Sequence, residues 1–242
     1  KPYRALGYGY LLLIVLLLCL RGKAYYTIGA YSVLLAAGDC FWAEKLKQKS
    51  WVLVPLLCLS FGLVPYGLPI LPVDTMQAYG VYLRDNWGNS PPLRWEDGSV
   101  RDLSQDYADM HGWEEMVRAV AQFYHSLPPE DQVKTMIYAG NYGQAGALSF
   151  YREKYELPPP HSFNASYLLW VEDEVAFDRQ IAVEDRPHLT SSYFNNVDLI
   201  DDTHYPNARG VNYVYYRYNP KTDVSVAWKA IVQDQRTARL GN

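Results

Sequence analysis

After Cys58 the sequence contains no cysteine, so the larger part of the chain can form no disulfide, a condition compatible with any redox compartment. The three cysteines that do occur, Cys19, Cys40 and Cys58, lie in an apolar first part at no metal-ligand spacing and read as lipid-facing or packing residues. Basic tracts are also missing from the second part, which argues against nucleic acid or an anionic membrane surface as its partner. The chain has neither the dinucleotide fingerprint nor a P-loop lysine. Internal repeats and low-complexity segments are absent too.

What is present is two unlike halves. The 242 residues carry a formal net charge of −4 and are 49% hydrophobic, which suggests one ordinary domain. Cut after Pro72, the first part holds 7 Lys and Arg against 2 Asp and Glu, and the remainder 15 against 24. The acidic remainder is long enough to bury a core of its own. The first part contains three apolar runs, 3–20, 25–43 and 50–72, read as transmembrane helices. A signal peptide is disfavoured for the first run, because two more follow and no small-residue cleavage site is evident. The cations Lys1, Arg4, Lys45, Lys47 and Lys49 fall on one side of these spans, and Arg21 and Lys23 on the other. That bias places the Lys45–Lys49 loop in the cytoplasm and residues 73–242 outside it.

Within 73–242 the apolar positions Trp113, Met116, Val117, Val120, Ala121 and Tyr124 share one helix face, and Pro128-Pro129 ends that helix. Thr135–Ala139 reads as a buried strand, followed by a turn at 140–143 and a helix to about Tyr155. Tyr167–Val171, Arg179–Val183 and Val211–Tyr218 read as strands and Val224–Gln235 as a last helix. Strands interleaved with helices predict an α/β domain with a mostly parallel sheet.

Several groups could carry chemistry. Arg21, Lys23, Tyr25 and Tyr26 put two cations and two rings between the first two runs, suited either to interfacial anchoring or to holding a lipid phosphate. Gly140, Asn141, Tyr142, Gly143 and Gln144 lie between a strand and a helix, as a tight turn or as a loop whose N–H groups could hold an anion. Asp198, Asp201, Asp202 and His204 offer ligands to a divalent metal, although acidic loops are usually only solvated, and no metal or other cofactor is expected. Asp106, Asp109 and His111 precede the Trp113 helix and read as its cap. Asn164-Ala165-Ser166 fits the N-glycosylation pattern.

The run Arg21-Gly22-Lys23-Ala24-Tyr25-Tyr26, the segment Tyr107 to Glu115, Leu127-Pro128-Pro129-Glu130 and above all Ala139 to Ala147 resemble the C-terminal part of the ArnT-like, protein-mannosyltransferase-like (family 39) glycosyltransferases of the GT-C class. The likeness thins from Asn164 onward. It implies an integral membrane enzyme that moves a sugar from a polyprenyl-phosphate carrier to a lipid, glycan or protein acceptor on the outer membrane face. It further implies that Arg21 and Lys23 face the carrier phosphate. The family's catalytic carboxylate belongs to a loop that would precede Lys1, so no residue here is assigned as catalyst. The soluble domain would then serve acceptor binding or stability. The rival expectation is a membrane-anchored extracytoplasmic binding or sensor domain without catalysis.

Overall fold

In the computed structural model the described residues are 4–20, 24–62, 64, 68, 70–88 and 90–240, and the described side chains exclude 24, 25, 48, 50, 56 and 240. The chain divides into two units, 1–68 and 69–242.

In the first unit α1 (Arg4–Cys19) and α2 (Ile28–Leu46) are joined through a 3-10 turn at Ala24–Thr27, and α3 (Leu53–Phe61) follows a 3-10 stretch at Lys47–Val52. The three expected transmembrane helices are not found: among the described residues no helix is long and apolar enough to cross a membrane. The reasons differ. The 16 residues of α1 rise about 24 Å and the 9 of α3 about 14 Å, short of the ~30 Å of hydrocarbon. The 19 residues of α2 approach that length but include Asp39, Glu44 and Lys45. The orientation argument, which needed three spans, falls with them. What remains is an apolar surface: α1 buries none of its residues, and Leu11, Leu12, Leu16 and Leu18 are exposed along it.

The second unit begins with α4 (Val73–Trp87), which opens with Asp74 in its first turn and ends where Gly88 turns left-handed at φ 64°. A short α5 (Gln105–Ala108) leads to α6 (Trp113–Ser126) and the turn α7 (Pro129–Gln132). Then come β1 (Thr135–Ala139), α8 (Tyr142–Tyr151), β2 (Arg179–Glu184), β3 (Phe194–Asp201), β4 (Tyr213–Pro220) and α9 (Val224–Leu240).

The sheet order is β1-β2-β4-β3, and among the described strands the neighbours β1 and β2 pair parallel while β2–β4 and β4–β3 pair antiparallel. The expected mostly parallel sheet is thereby corrected to a mixed one. A parallel neighbour needs a crossover, and α8 supplies one between β1 and β2. No helix separates β3 from β4, which pair antiparallel, and β4 inserts between β3 and β2, running against both.

Alternation along each strand divides the core into two layers. Ile137, Ala139, Ile181, Val183, Val214 and Tyr216 meet Met116, Val117 and Val120 of α6 and Ala145 and Leu148 of α8 on one face. On the opposite face Met136 packs with Phe177, Phe194 and the α9 residues Val224, Trp228 and Val232. A smaller cluster of Met76, Trp95, Leu103 and Ala108 seats α4.

The segment before the 3-10 turn Ala165–Leu169 adds a short parallel bridge to β1, where Ala139 N donates to His161 O at 2.8 Å and His161 N to Ile137 O at 2.9 Å. The His161 ring stands edge-on to Trp228, 5.7 Å between centroids, with Nδ1 buried and unpartnered. Burial holds this imidazole below its ordinary 6.5, against the pull of Glu172. The folded chain therefore takes up this proton less readily than the unfolded chain, so the stability tied to the neutral ring is complete above about 6.5 and is lost as pH falls below it. Urea midpoints at pH 7.5 and 5.5 should drop more for the wild type than for His161→Phe; equal drops would remove His161 as the cause.

Candidate functional site

The carboxyl ends of β1 and β2, where the parallel pair opens, are where α/β sheets usually receive ligands. Two adjoining hollows of about 590 and 660 Å³ lie there, sharing His111, Trp113, Tyr142 and Gly143.

Trp113 begins α6 after Gly112, whose φ of +87° only glycine adopts without strain. A side chain at Gly112 would also meet Ala208 Cβ at 3.0 Å. The indole is fixed, with Nε1 donating to Asp109 O at 2.6 Å. Asp106, Asp109 and His111 were expected to cap this helix; instead Gly112 occupies the cap position and no side chain caps it. Asp109 turns to Arg209, which donates at 3.1 and 3.3 Å and also reaches Glu96 at 3.1 Å. Burial raises the Asp109 carboxyl above its ordinary value, Arg209 lowers it, and Asp106 and Glu96 add to the rise. His111 lies 5.2 Å from the Tyr107 ring, its Nε2 buried without a partner.

The loop after β1 is a capping box, a more specific device than the tight turn expected of Gly140 to Gly146. Asn141 Oδ1 accepts from Gln144 N at 2.9 Å, and Gln144 Oε1 accepts from Asn141 N at 3.2 Å. Gln144 is fully buried and donates onward to Asn212 Oδ1 at 2.9 Å and Asp185 Oδ1 at 3.4 Å. Asn141 Nδ2 reaches the same Asp185 oxygen at 3.1 Å. The chain's own carboxylate therefore stands before the amino end of α8, which opposes the anion-holding alternative for this loop.

Tyr142, the first residue of α8, is 65% exposed and presents its ring to both hollows. On the far wall Glu114 accepts from Lys154 Nζ at 2.5 Å and Tyr155 Oη at 2.8 Å, and the lysine contact holds its carboxyl below the usual range. The cleft thus combines the aromatic rings of Trp113, Tyr142, Phe150 and Tyr151, the carboxylates Asp109, Asp185, Glu114 and Glu115, two carboxamides and one guanidinium. Such a lining offers hydrogen-bond acceptors to hydroxyl groups and apolar faces to the carbons between them. It suits neutral polyhydroxyl compounds better than anions.

The other expected sites fare differently. Arg21 and Lys23 lie outside the described residues, as does the Tyr25 side chain, while Tyr26 is exposed. Asp198, Asp201, Asp202 and His204 do not converge on a metal. Asp201 instead accepts from Thr203 Oγ1 at 2.5 Å and Tyr205 Oη at 2.8 Å, Asp198 is exposed, and among the described residues no three His, Cys, Asp or Glu side chains could hold an ion.

Asp185, Arg209 and Asn212 were not singled out from the sequence. Asp185 had a legible signal, since it directly follows a strand that a helix connects in parallel to β1; Arg209 and Asn212 sit in a long connection whose path only the fold reveals. Comparison with protein-family models, with curated proteins and with solved structures finds no match.

Proposed function

We propose that this chain is a portion of a membrane-associated glycosyltransferase that uses a polyprenyl-phosphate sugar, and that residues 69–242 bind the acceptor saccharide. The resemblance of Ala139 to Ala147 and of the Arg21–Tyr26 segment to the family 39 enzymes supports the reaction class. The single observation that carries the acceptor role is the cleft, in which Trp113 and Tyr142 flank a rim of carboxylates and carboxamides. Its sign of charge disfavours the carrier phosphate there, which leaves the donor to other parts of the enzyme. The exposed leucines of α1 give an apolar surface suited to lipid or to further protein.

The test is to titrate the detergent-solubilised chain with neutral di- to tetrasaccharides by calorimetry, beside Tyr142→Ala and Tyr142→Phe. Binding should be saturable, weaken about tenfold in Tyr142→Ala as a ring face worth on the order of 1.5 kcal/mol is lost, and persist in Tyr142→Phe. No saturable binding of any saccharide, or equal binding by Tyr142→Ala, would remove the acceptor role.

A further inference from the structure

The sheet face opposite the cleft carries a feature that neither packing nor the acceptor site uses. In a layer otherwise filled by Met136, Phe177, Phe194, Val224 and Trp228, three polar side chains stand together. Pairing of Gln180 with Arg217 across β2 and β4, together with strand alternation, sends Gln180, Glu184 and Arg217 to this side. Arg217 donates from one terminal nitrogen to Gln180 Oε1 at 3.0 Å and from the other to Glu184 Oε1 at 2.6 Å. The Arg217 side chain is 11% exposed, and its Nε is buried without a partner. His188 Nδ1 lies 3.9 Å from the second Glu184 oxygen.

These three residues line a cavity of about 270 Å³ between the sheet, α9 and the segment Ser191–Phe194. Around it stand the rings of Tyr138, Phe163, Phe177, Tyr193, Phe194 and Trp228. Phe163 and Trp228 are stacked on each other at 4.9 Å, so nothing flat inserts between them and they act as one apolar wall.

Each property of the cavity narrows the ligand. Its volume falls just below the ~300–1,000 Å³ of sites for drug-sized molecules, so it admits one ring and not two. Charge is already balanced, because Glu184 neutralises Arg217. An anion would have to displace Glu184, and a cation would face the guanidinium. A hydrocarbon would offer no partner to the polar side chains of Gln180, Glu184 and Arg217 that line the cavity, which buried polar groups avoid. Donors and acceptors then lie along one wall: the amino group of Gln180, the carboxylate of Glu184 and the hydroxyl of Tyr138. A set that alternates donor with acceptor matches adjacent hydroxyl groups, each of which both gives and takes a hydrogen bond, and the ring walls match the carbon face of such a molecule.

We propose that this cavity is a second ligand site, distinct from the acceptor cleft, which binds an uncharged single-ring polyol such as a monosaccharide. It is independent of the acceptor reading, since the two sites lie on opposite faces of the sheet and share no lining residue.

The experiment uses saturation-transfer NMR on the full chain with D-glucose, D-mannose and N-acetylglucosamine, with adenine as a flat ring and acetate as an anion. At least one sugar should give a saturable signal. In a Tyr142→Ala background, which weakens the cleft, the signal should remain, and adding Ala227→Met, which fills the cavity from α9, should abolish it with the thermal midpoint held. Tyr138→Phe, which keeps the ring, should weaken it about tenfold, the scale of one hydrogen bond, and serves alone if Ala227→Met does not fold. Absence of saturable binding by all three sugars, saturation by adenine or acetate instead, or sugar binding that survives both cavity variants would overturn the proposal.

Discussion

Gly143→Val should lower the thermal midpoint of the 69–242 unit by about 6–12 °C, the equivalent of roughly 3 kcal/mol for a domain of this size. The cause is not backbone strain: the glycines with left-handed φ are Gly88, Gly98 and Gly112 among the described residues, and Gly143 is helical. The cause is proximity. A Cβ at Gly143 would stand 2.9 Å from Trp113 Cη2 and 3.2 Å from Asn141 Oδ1. Neither neighbour can move cheaply, because the indole is held by Asp109 and packs on the main core, while Asn141 is the cap of α8. Gly146, in the same glycine-rich run, supplies the contrast. A Cβ there would meet only Tyr167 Oη at 3.8 Å, so Gly146→Ala should stabilise by up to about 1 kcal/mol through helix propensity. Opposite signs from two glycines three residues apart would establish close packing as the reason for the first. A loss at both would point instead to a backbone requirement of the whole run.

Elements whose own periodicity matches their burial were legible in the sequence. Trp113–Ser126 and Thr135–Ala139 coincide with the observed helix and strand, because each is set by a local alternation that the fold merely uses. Tyr167–Val171 has the composition of a strand yet forms the end of a 3-10 turn: Leu168 drops into the core while Leu169 and Trp170 remain 58% and 69% exposed. Conversely β3, with Asn195, Asn196, Asp198 and Asp201, has little strand propensity and exists through pairing with β4, a contact between distant residues that composition does not announce. Missing β3 is also what made the sheet look parallel. Helix α4 was overlooked although Asp74 and Gly88 mark its ends. For the site, the Gly140–Gln144 loop was located correctly, but its partners Asp185 and Asn212 come from other strands' ends, and its electrostatic character is set by them.

Gln144 should prove the most sensitive polar position in the domain. It is fully buried, and its carboxamide serves three partners: Asn141 N, Asn212 Oδ1 and Asp185 Oδ1. Gln144→Leu preserves bulk but strips all three, and each buried group left unpaired costs about 1–3 kcal/mol, partly relieved at the exposed Asp185, so a loss of about 2–4 kcal/mol is expected. Gln144→Glu separates the roles. The introduced carboxyl can still accept from Asn141 N, but it cannot donate when ionised, and it stands beside Asp185. Burial and the neighbouring carboxylate both disfavour its charge, so its folded pKa lies above the unfolded value near 4.3. The folded state then binds the extra proton more readily than the unfolded state. The destabilisation of Gln144→Glu is therefore full at neutral pH and shrinks as pH falls through that raised folded value, where the protonated acid regains a donor for Asn212 or Asp185. Chemical denaturation from pH 7.5 to 4.5 should show Gln144→Glu converging on the wild type while Gln144→Leu keeps a nearly constant deficit. Parallel curves for the two variants would mean that the site tolerates the charge, and that Gln144 matters for its shape and not for its hydrogen bonds.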